Sequence, residues 1–281
     1  MPPLLKIRAQ RDQMSALERR IADFLLDNAQ LLRDYSSQQL ADALGISQSS
    51  VVKFSQKIGF KGYPDLKFSI SESLARSEAV DAAQAPPPSE VDPHAALADS
   101  LWQAKARSEA ETRLLNPPEN IHAIAEALRR ADKVFVIGQG RDSIHARAFT
   151  MQLSLLGVLA VYHFDPVMTP VAVSCASRND VLVAFSEHGR QVSLCQIAQS
   201  FRLRHGTVIS VTRHNANPLR TRANHALLVS GHDERRHVEP MLYQSALQQL
   251  LDMVALVLCE DQQRLTSLEY NLERIEPMLD T

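Results

Sequence analysis

Ser36 to Tyr63 reads SSQQLADALGISQSSVVKFSQKIGFKGY, and no other stretch restricts the fold as tightly. Its spacing predicts two short helices joined by a tight turn. Ser36 or Ser37 can cap the first helix, whose inner face is Leu40, Ala41 and Leu44. Gly45 stands where a helix ends in a left-handed residue, a conformation that glycine adopts without the steric cost of a Cβ. Ile46 fills the corner and Ser47 caps the second helix, which buries Val51, Phe54 and Ile58 at i, i+3 and i+7. Small Ala lets the helices cross closely, Gly makes the bend and Val pins the second helix. That is the logic of a helix-turn-helix.

At about 100° per residue, the opposite side of the second helix carries Ser49, Val52, Lys53 and Gln56. These are hydrogen-bonding groups, one cation, and an apolar residue able to touch a thymine methyl. With Ser47, Gln48 and Ser50 at the start of the helix they form the candidate DNA-reading face. Lys57, Lys61 and Tyr63 flank it and suit phosphates. The plainer alternative is a helical hairpin with a solvated polar face.

The chain has 281 residues and is 45% hydrophobic, enough for two domains, one with a sizeable core. Sequence alone shows no apolar run near membrane-spanning length, and MPPLLKIRAQRDQ lacks the apolar centre of a signal peptide. Cys175, Cys195 and Cys259 stand apart, so a reducing cytoplasm is expected. Residues 1–77 hold 11 Lys+Arg against 8 Asp+Glu, and the remainder 19 against 24. Specific DNA binding would therefore draw on a local patch and on dimerisation rather than on bulk charge.

Leu4–Asn28 contains a helix with Ser15 as its cap and Glu18 three residues on, a capping box. Pro64 opens another, Asp65–Arg76. Asp81–Pro93 holds three consecutive prolines and no periodicity, which reads as a linker. The resulting division is an all-α domain over 1–77, a linker over 78–93 and an α/β domain over 94–281. In the last, helices are expected at His94–Leu115 and Glu119–Arg130. Strands at Lys133–Gly138, 157–164, Asp180–Ser186, 206–212 and His225–Ser230 then alternate with helices at Ser143–Leu156, Pro170–Ala176 and Gln191–His205. Glu239–Glu260 is a long apolar helix. Short β-rich runs between amphipathic helices predict a parallel five-stranded sheet with helices on both faces.

Ligands of such sheets sit beyond the carboxyl ends of the strands. Two loops there look built for an anion: Gly138-Gln139-Gly140-Arg141-Asp142-Ser143 and Ser186-Glu187-His188-Gly189-Arg190-Gln191. Glycines let backbone N–H groups approach an anion at a helix N-terminus, and serines with Arg141 or Arg190 suit a phosphate. A dinucleotide fingerprint would need a third Gly where Ser143 stands. Two ordinary glycine turns, with Ser143 as an N-cap, are the alternative.

The combination resembles the MurR/RpiR family of bacterial transcriptional regulators, whose second half is a sugar isomerase (SIS) domain. The likeness is strongest at GISQSSVVKFSQKIGFKGYPDLK (Gly45–Lys67), which looks like the branch responsive to N-acetylmuramic acid 6-phosphate. Asn217-Pro218-Leu219 and Asp252 also match. The resemblance implies a homodimer or homotetramer that binds palindromic operators in double-stranded DNA. It also implies a phosphosugar effector at the SIS loops, with no cofactor, no metal and no catalysis. The chain departs from the family at Asp142, where Ser is usual, and at His188 and Gln191 in a loop that usually runs Ser-x-Ser-Gly-x-Thr/Ser. Asp beside a phosphate repels it. Either the phosphate sits against Ser186, His188 and Gln191, or the ligand differs, or sensing has been lost.

Two competing functions remain. SIS domains also occur in aldose–ketose isomerases, and Glu187, His188 or Glu239 could act as the base there. A metal site at His232, Asp233, Glu234 and His237 is the other. Leu247, Leu250, Leu251, Val254 and Leu258 form an apolar stripe suited first to core packing and second to a dimer interface.

Overall fold

The computed structural model describes residues 2–29, 32, 35–83, 92–163, 165 and 168–279. It divides into two compact units, Met1–Ala98 and Asp99–Thr281.

The first unit is helical: α1 (Pro3–Gln10), α2 (Ala16–Asp27), α3 (Ser37–Leu44), α4 (Gln48–Lys57) and α5 (Tyr63–Ala83). The helix expected from Ser15 is α2. Its capping box is complete, Ser15 accepting from the Glu18 N–H while the Glu18 carboxylate accepts from the Ser15 N–H. A separate α1 precedes it, set off by a 3-10 turn at Arg11–Gln13. Ile7, Ile21, Leu25, Leu40, Ala41, Val51, Phe54, Ile58 and Leu66 from all five helices close on one core. α5 starts earlier than expected and runs on to Ala83, into the stretch read as linker. Pro86, Pro87 and Pro88 lie outside the described residues.

The second unit holds α6 (Pro93–Leu115, counted here from Asp99), α7 (Pro118–Arg130), β1 (Val134–Gly138), α8 (Asp142–Leu155) and β2 (Ala160–His163). There follow α9 (Thr169–Ala172), β3 (Val181–Phe185), α10 (Val192–Leu203), β4 (Thr207–Arg213), α11 (Pro218–Arg222), β5 (His225–Val229), α12 (Glu239–Leu258) and α13 (Gln262–Leu279). The sheet is parallel throughout, in the order β2-β1-β3-β4-β5. Alternation decides its two faces. Val134, Val136, Val183, Phe185, Ile209 and Val211 face α7, α8 and α12, whereas Phe135, Ile137, Leu182, Ala184 and Val208 face α10, α11 and the turn at Val173. The expected stripe Leu247–Leu258 lies in the first of these cores. β2 is shorter than the apolar run that encodes it, because Gly157 and Val158 close the end of α8 by hydrogen bonds to Ser154 and Leu153.

Two features qualify the sequence reading. α12, the long apolar helix expected over Glu239–Glu260, has the length and mean hydropathy, 1.2, that a membrane-crossing helix would need, but half of that segment is buried as a core helix. Among the described residues the outer edge of β5 is paired by side chains rather than by another strand. The Asn116 amide donates to the Leu228 carbonyl at 2.7 Å and accepts from its N–H at 3.0 Å. Thr112 accepts from the Ser230 N–H, Ser108 donates to the Ser230 carbonyl, and Asn120 donates to the Ala226 carbonyl. Polar groups of α6 and of the residues that follow it therefore satisfy backbone that an edge strand would otherwise leave open.

Candidate functional site

The helix-turn-helix is built as its residues dictate. Ser36 caps α3 in a box with Gln39, whose N–H it accepts at 3.2 Å and whose side chain accepts the Ser36 N–H at 2.8 Å. Gly45 ends α3 at φ 62°, and the Ile46 N–H turns back to the Ala41 carbonyl at 2.9 Å. Ser47 caps α4 by accepting from the Ser50 N–H. With Val51, Phe54 and Ile58 buried, Gln48, Ser49, Lys53, Gln56 and Lys57 are exposed, and Ser50 and Val52 half-buried.

Not all of the candidate contacts stand free. The Ser47 hydroxyl bonds those of Ser49 and Ser50, at 2.9 and 2.8 Å, and Gln48 reaches Ser37 at 2.8 Å. Lys57 is paired with Glu18, its Nζ 2.7 and 2.8 Å from the two carboxylate oxygens. That bond holds the Glu18 carboxyl below its ordinary range. Lys61 is exposed. Tyr63 is a correction: it is 2% exposed, its hydroxyl donates to the Tyr35 carbonyl at 3.0 Å, and burial pushes its pKa up to about 12. It opens α5 from inside the core and does not face phosphates.

In the second unit β1, β3, β4 and β5 end in register, Gly138 beside Phe185, Phe185 beside Val211 and Arg213 beside Val229. The loops that follow share one end of the sheet. Gly138 is the last residue of β1, and Gly140 is exposed in the turn. Ser143 is not the N-cap of α8, which begins at Asp142; its hydroxyl donates to the Gly140 carbonyl at 2.6 Å. Ser186 is 2% exposed and accepts from the Gly189 N–H at 3.1 Å. Gly189 has φ 61°, and an added Cβ would collide with Asn217 Oδ1. His188 and Arg190 are exposed, whereas Gln191, before α10, is half-buried with Oε1 buried and without a partner among the described residues.

The centre of the site is a chain of charges. Arg141 Nη2 donates to Glu187 Oε2 at 2.7 Å. Arg213 Nε donates to Glu187 Oε1 at 2.8 Å, and its Nη2 lies 2.7 Å from the same oxygen. Arg213 Nη1 donates to the Gly231 carbonyl and stands 3.8 Å from Glu239, whose other oxygen is 2.9 Å from His232 Nδ1. The Arg213 guanidinium stacks over the Tyr243 ring at 5.5 Å. Tyr243 is buried and its hydroxyl has no partner among the described residues.

Burial pushes the Asp142 carboxyl up, and the negative charge of Glu187 adds to this. The Glu187 N–H, which donates to Asp142 at 3.0 Å, opposes it. Burial works against the Glu187 charge too, but the Arg213 bond and the Arg213 and Arg141 charges outweigh it and hold that carboxyl below its usual range. Burial lowers His145 against the pull of Asp142.

The arrangement bears on the chemistry. A carboxylate gripped by two guanidiniums has little proton affinity, which makes Glu187 a poor general base. At the suggested metal site the Asp233 carboxylate is bound by Arg235 at 2.8 and 3.0 Å, and among the described residues no group of three or more His, Cys, Asp or Glu could hold a metal. The loops singled out from sequence do converge. Sequence reasoning misses Arg213, Tyr243 and His145, and it considers His232 only in a competing metal site rather than as the partner of Glu239. Arg213 was findable as the residue that ends β4, and Tyr243 as the residue one turn after Glu239 on the same helix face.

Comparison with known proteins finds relatives of both halves of the chain. Residues 1–77 match the helix-turn-helix domain of the rpiR family, and residues 127–258 match the SIS domain. The chain is 32% identical over 230 residues to the uncharacterized HTH-type transcriptional regulator YfhH of Escherichia coli strain K12, covering 81% of each chain. Among solved structures, the Vibrio vulnificus NanR protein complexed with ManNAc-6P superposes with a TM-score of 0.62 at 22% identity, over 98% of both chains. The sugar isomerase domain of an RpiR transcription factor from Sphaerobacter thermophilus gives 0.57 at 18% identity, over 63% of this chain and 98% of that one. The chain belongs to the RpiR family of helix-turn-helix transcriptional regulators, its DNA-binding domain followed by a SIS sugar-binding domain.

Proposed function

We propose that this regulator represses a sugar or amino-sugar catabolic operon and that a phosphosugar held at the strand-end loops of the SIS domain controls it. The DNA-reading part rests on one observation: α4 is locked from behind by Val51, Phe54 and Ile58 while Lys53 and Gln56 stand exposed on its outer side. A rigid helix with a polar outer face is what the major groove accepts. The sensing part is supported by the convergence of Ser186, Gly189 and Arg141 at one sheet end, and by the phosphosugar carried by the similarly folded NanR. An N-acetylated amino-sugar 6-phosphate, N-acetylmuramic or N-acetylmannosamine, is the first effector class to try.

In this reading the chain acts as a homodimer or homotetramer on a palindromic operator, with two copies of α4 about one DNA turn apart. The effector changes that spacing by preferring one quaternary arrangement. Fluorescence anisotropy on operator DNA, with and without effector, tests both parts. Lys53→Ala should weaken operator binding by about tenfold and lower the salt slope by about 1 while leaving effector binding intact. Ser186→Ala removes the hydroxyl that, with the Ser186 carbonyl, accepts from the Gly189 N–H, and should abolish the effector response without loss of DNA binding. Equal loss of both activities in either folded variant would overturn the two-site reading.

A further inference from the structure

At the strand ends the two arginines best placed to hold an anion already hold one. Glu187 offers Oε2 to Arg141 and Oε1 to Arg213, and all three residues come from separate loops or strand ends around the site. The two arginines are not equivalent. Arg213 is mostly enclosed, its side chain 16% exposed, with further contacts to the Gly231 carbonyl, Glu239 and the Tyr243 ring. Arg141 is 45% exposed, and its ion pair among the described residues is the one with Glu187. Arg213 is thus fixed as part of the frame, whereas Arg141 can let go. Next to Arg213 the Tyr243 hydroxyl, and in the loop that follows Glu187 the Gln191 Oε1, are buried without partners among the described residues, a cost that a polar ligand would relieve.

We propose that Glu187 is a built-in stand-in for the effector's anion: in the unliganded protein its carboxylate occupies Arg141, and effector binding transfers Arg141 from Glu187 to the ligand. This deepens the phosphosugar reading and rests on it. The exchange sets the anion affinity of the site. A ligand must offer Arg141 more than Glu187 does, so a bare anion competes poorly and one carried on a sugar, with hydroxyls for the buried polar atoms, competes well. Glu187 is in these terms a specificity-determining residue, raising the threshold against free phosphate. No bond is made or broken, and one ion pair replaces another.

The test is isothermal titration of the full-length chain with inorganic phosphate and with N-acetylmannosamine 6-phosphate. Glu187→Gln keeps the shape and releases Arg141, and should bind inorganic phosphate at least about tenfold more tightly than the parent chain, narrowing the preference for the sugar phosphate. Glu187→Gln with Arg141→Gln should lose that gain. Because Glu187→Gln also leaves buried Arg213 without its carboxylate, Glu187→Asp serves as a second variant. It keeps a charge beside Arg213 but falls short of Arg141, and should show a smaller gain in the same direction. A folded Glu187→Gln or Glu187→Asp with unchanged phosphate affinity overturns the stand-in. If the parent chain binds the sugar phosphate and the variants match it, only the stand-in falls. If Glu187→Gln gains phosphate binding while no chain binds a sugar phosphate, the stand-in survives and the phosphosugar reading falls.

Discussion

Gly45 and Gly189 share a left-handed backbone, at φ 62° and 61°, yet a methyl group added to each meets different surroundings. At Gly45 nothing lies within 4 Å, so Gly45→Ala carries only backbone strain and should lower stability by about 1 kcal/mol. At Gly189 the methyl collides with Asn217, the side chain that caps α11 through the Arg220 N–H. Gly189→Ala should cost more, roughly 3 kcal/mol, and should also disrupt the loop around Ser186. Chemical denaturation of the two variants side by side checks the ranking. Caps and left-handed residues were legible in the sequence because they are local: Ser15, Ser36, Gly45 and Ser47 each act within a few residues. Tyr63 was not, since its partner Tyr35 lies 28 residues away, and neither was the engagement of Lys57 by Glu18, 39 residues away. The grip on Glu187 failed to show for the same reason: its arginines are 46 and 26 positions distant, and no periodicity encodes such a pairing.

Elements were legible in kind and less so in extent. Short β-rich runs between helices gave five strands and their order of appearance, with bounds within about a residue of those expected except at β2, whose apolar run over 157–164 forms a strand at Ala160–His163. Helix α5 continued past its expected end because Ala79, Ala82 and Ala83 are good helix formers, and nothing before the prolines stops them. What no pattern announced was the pairing of β5 by Ser108, Thr112, Asn116 and Asn120. Asn116 makes the largest single contribution there, serving both the N–H and the carbonyl of Leu228. Asn116→Ala should therefore destabilise the SIS domain by about 2–4 kcal/mol, and more than Asn120→Ala, which loses one bond. Thermal unfolding gives the ranking, and light scattering should show Asn116→Ala associating more readily through the bared edge.

At the scale of the whole molecule, acid acts through a few buried groups. Burial, aided by Arg220, lowers the His214 pKa from 6.5 to about 4. As pH falls through 6.5 the unfolded chain takes up this proton and the folded one does not, so stability declines until about pH 4. Glu187, held low, adds a loss at the acid end of the same range, whereas Asp142, held high, works in the opposite direction. His214→Asn should flatten the fall in unfolding midpoint between pH 6.5 and 4. An unchanged slope would place the sensitivity elsewhere. The two-part organisation was legible as a change of texture, from short capped helices to alternating strands and helices, and the family match spans both parts. The pairing of α6 with β5 also imposes an order in time. Ser108, Thr112 and Asn116 meet partners 112 to 122 residues further along the chain. On a ribosome those side chains wait roughly 6 to 24 s for their partners in and after β5 to be made. All the helices of the DNA-binding domain have emerged by then, so each newly made copy passes through an interval in which the reader exists and the sensor does not.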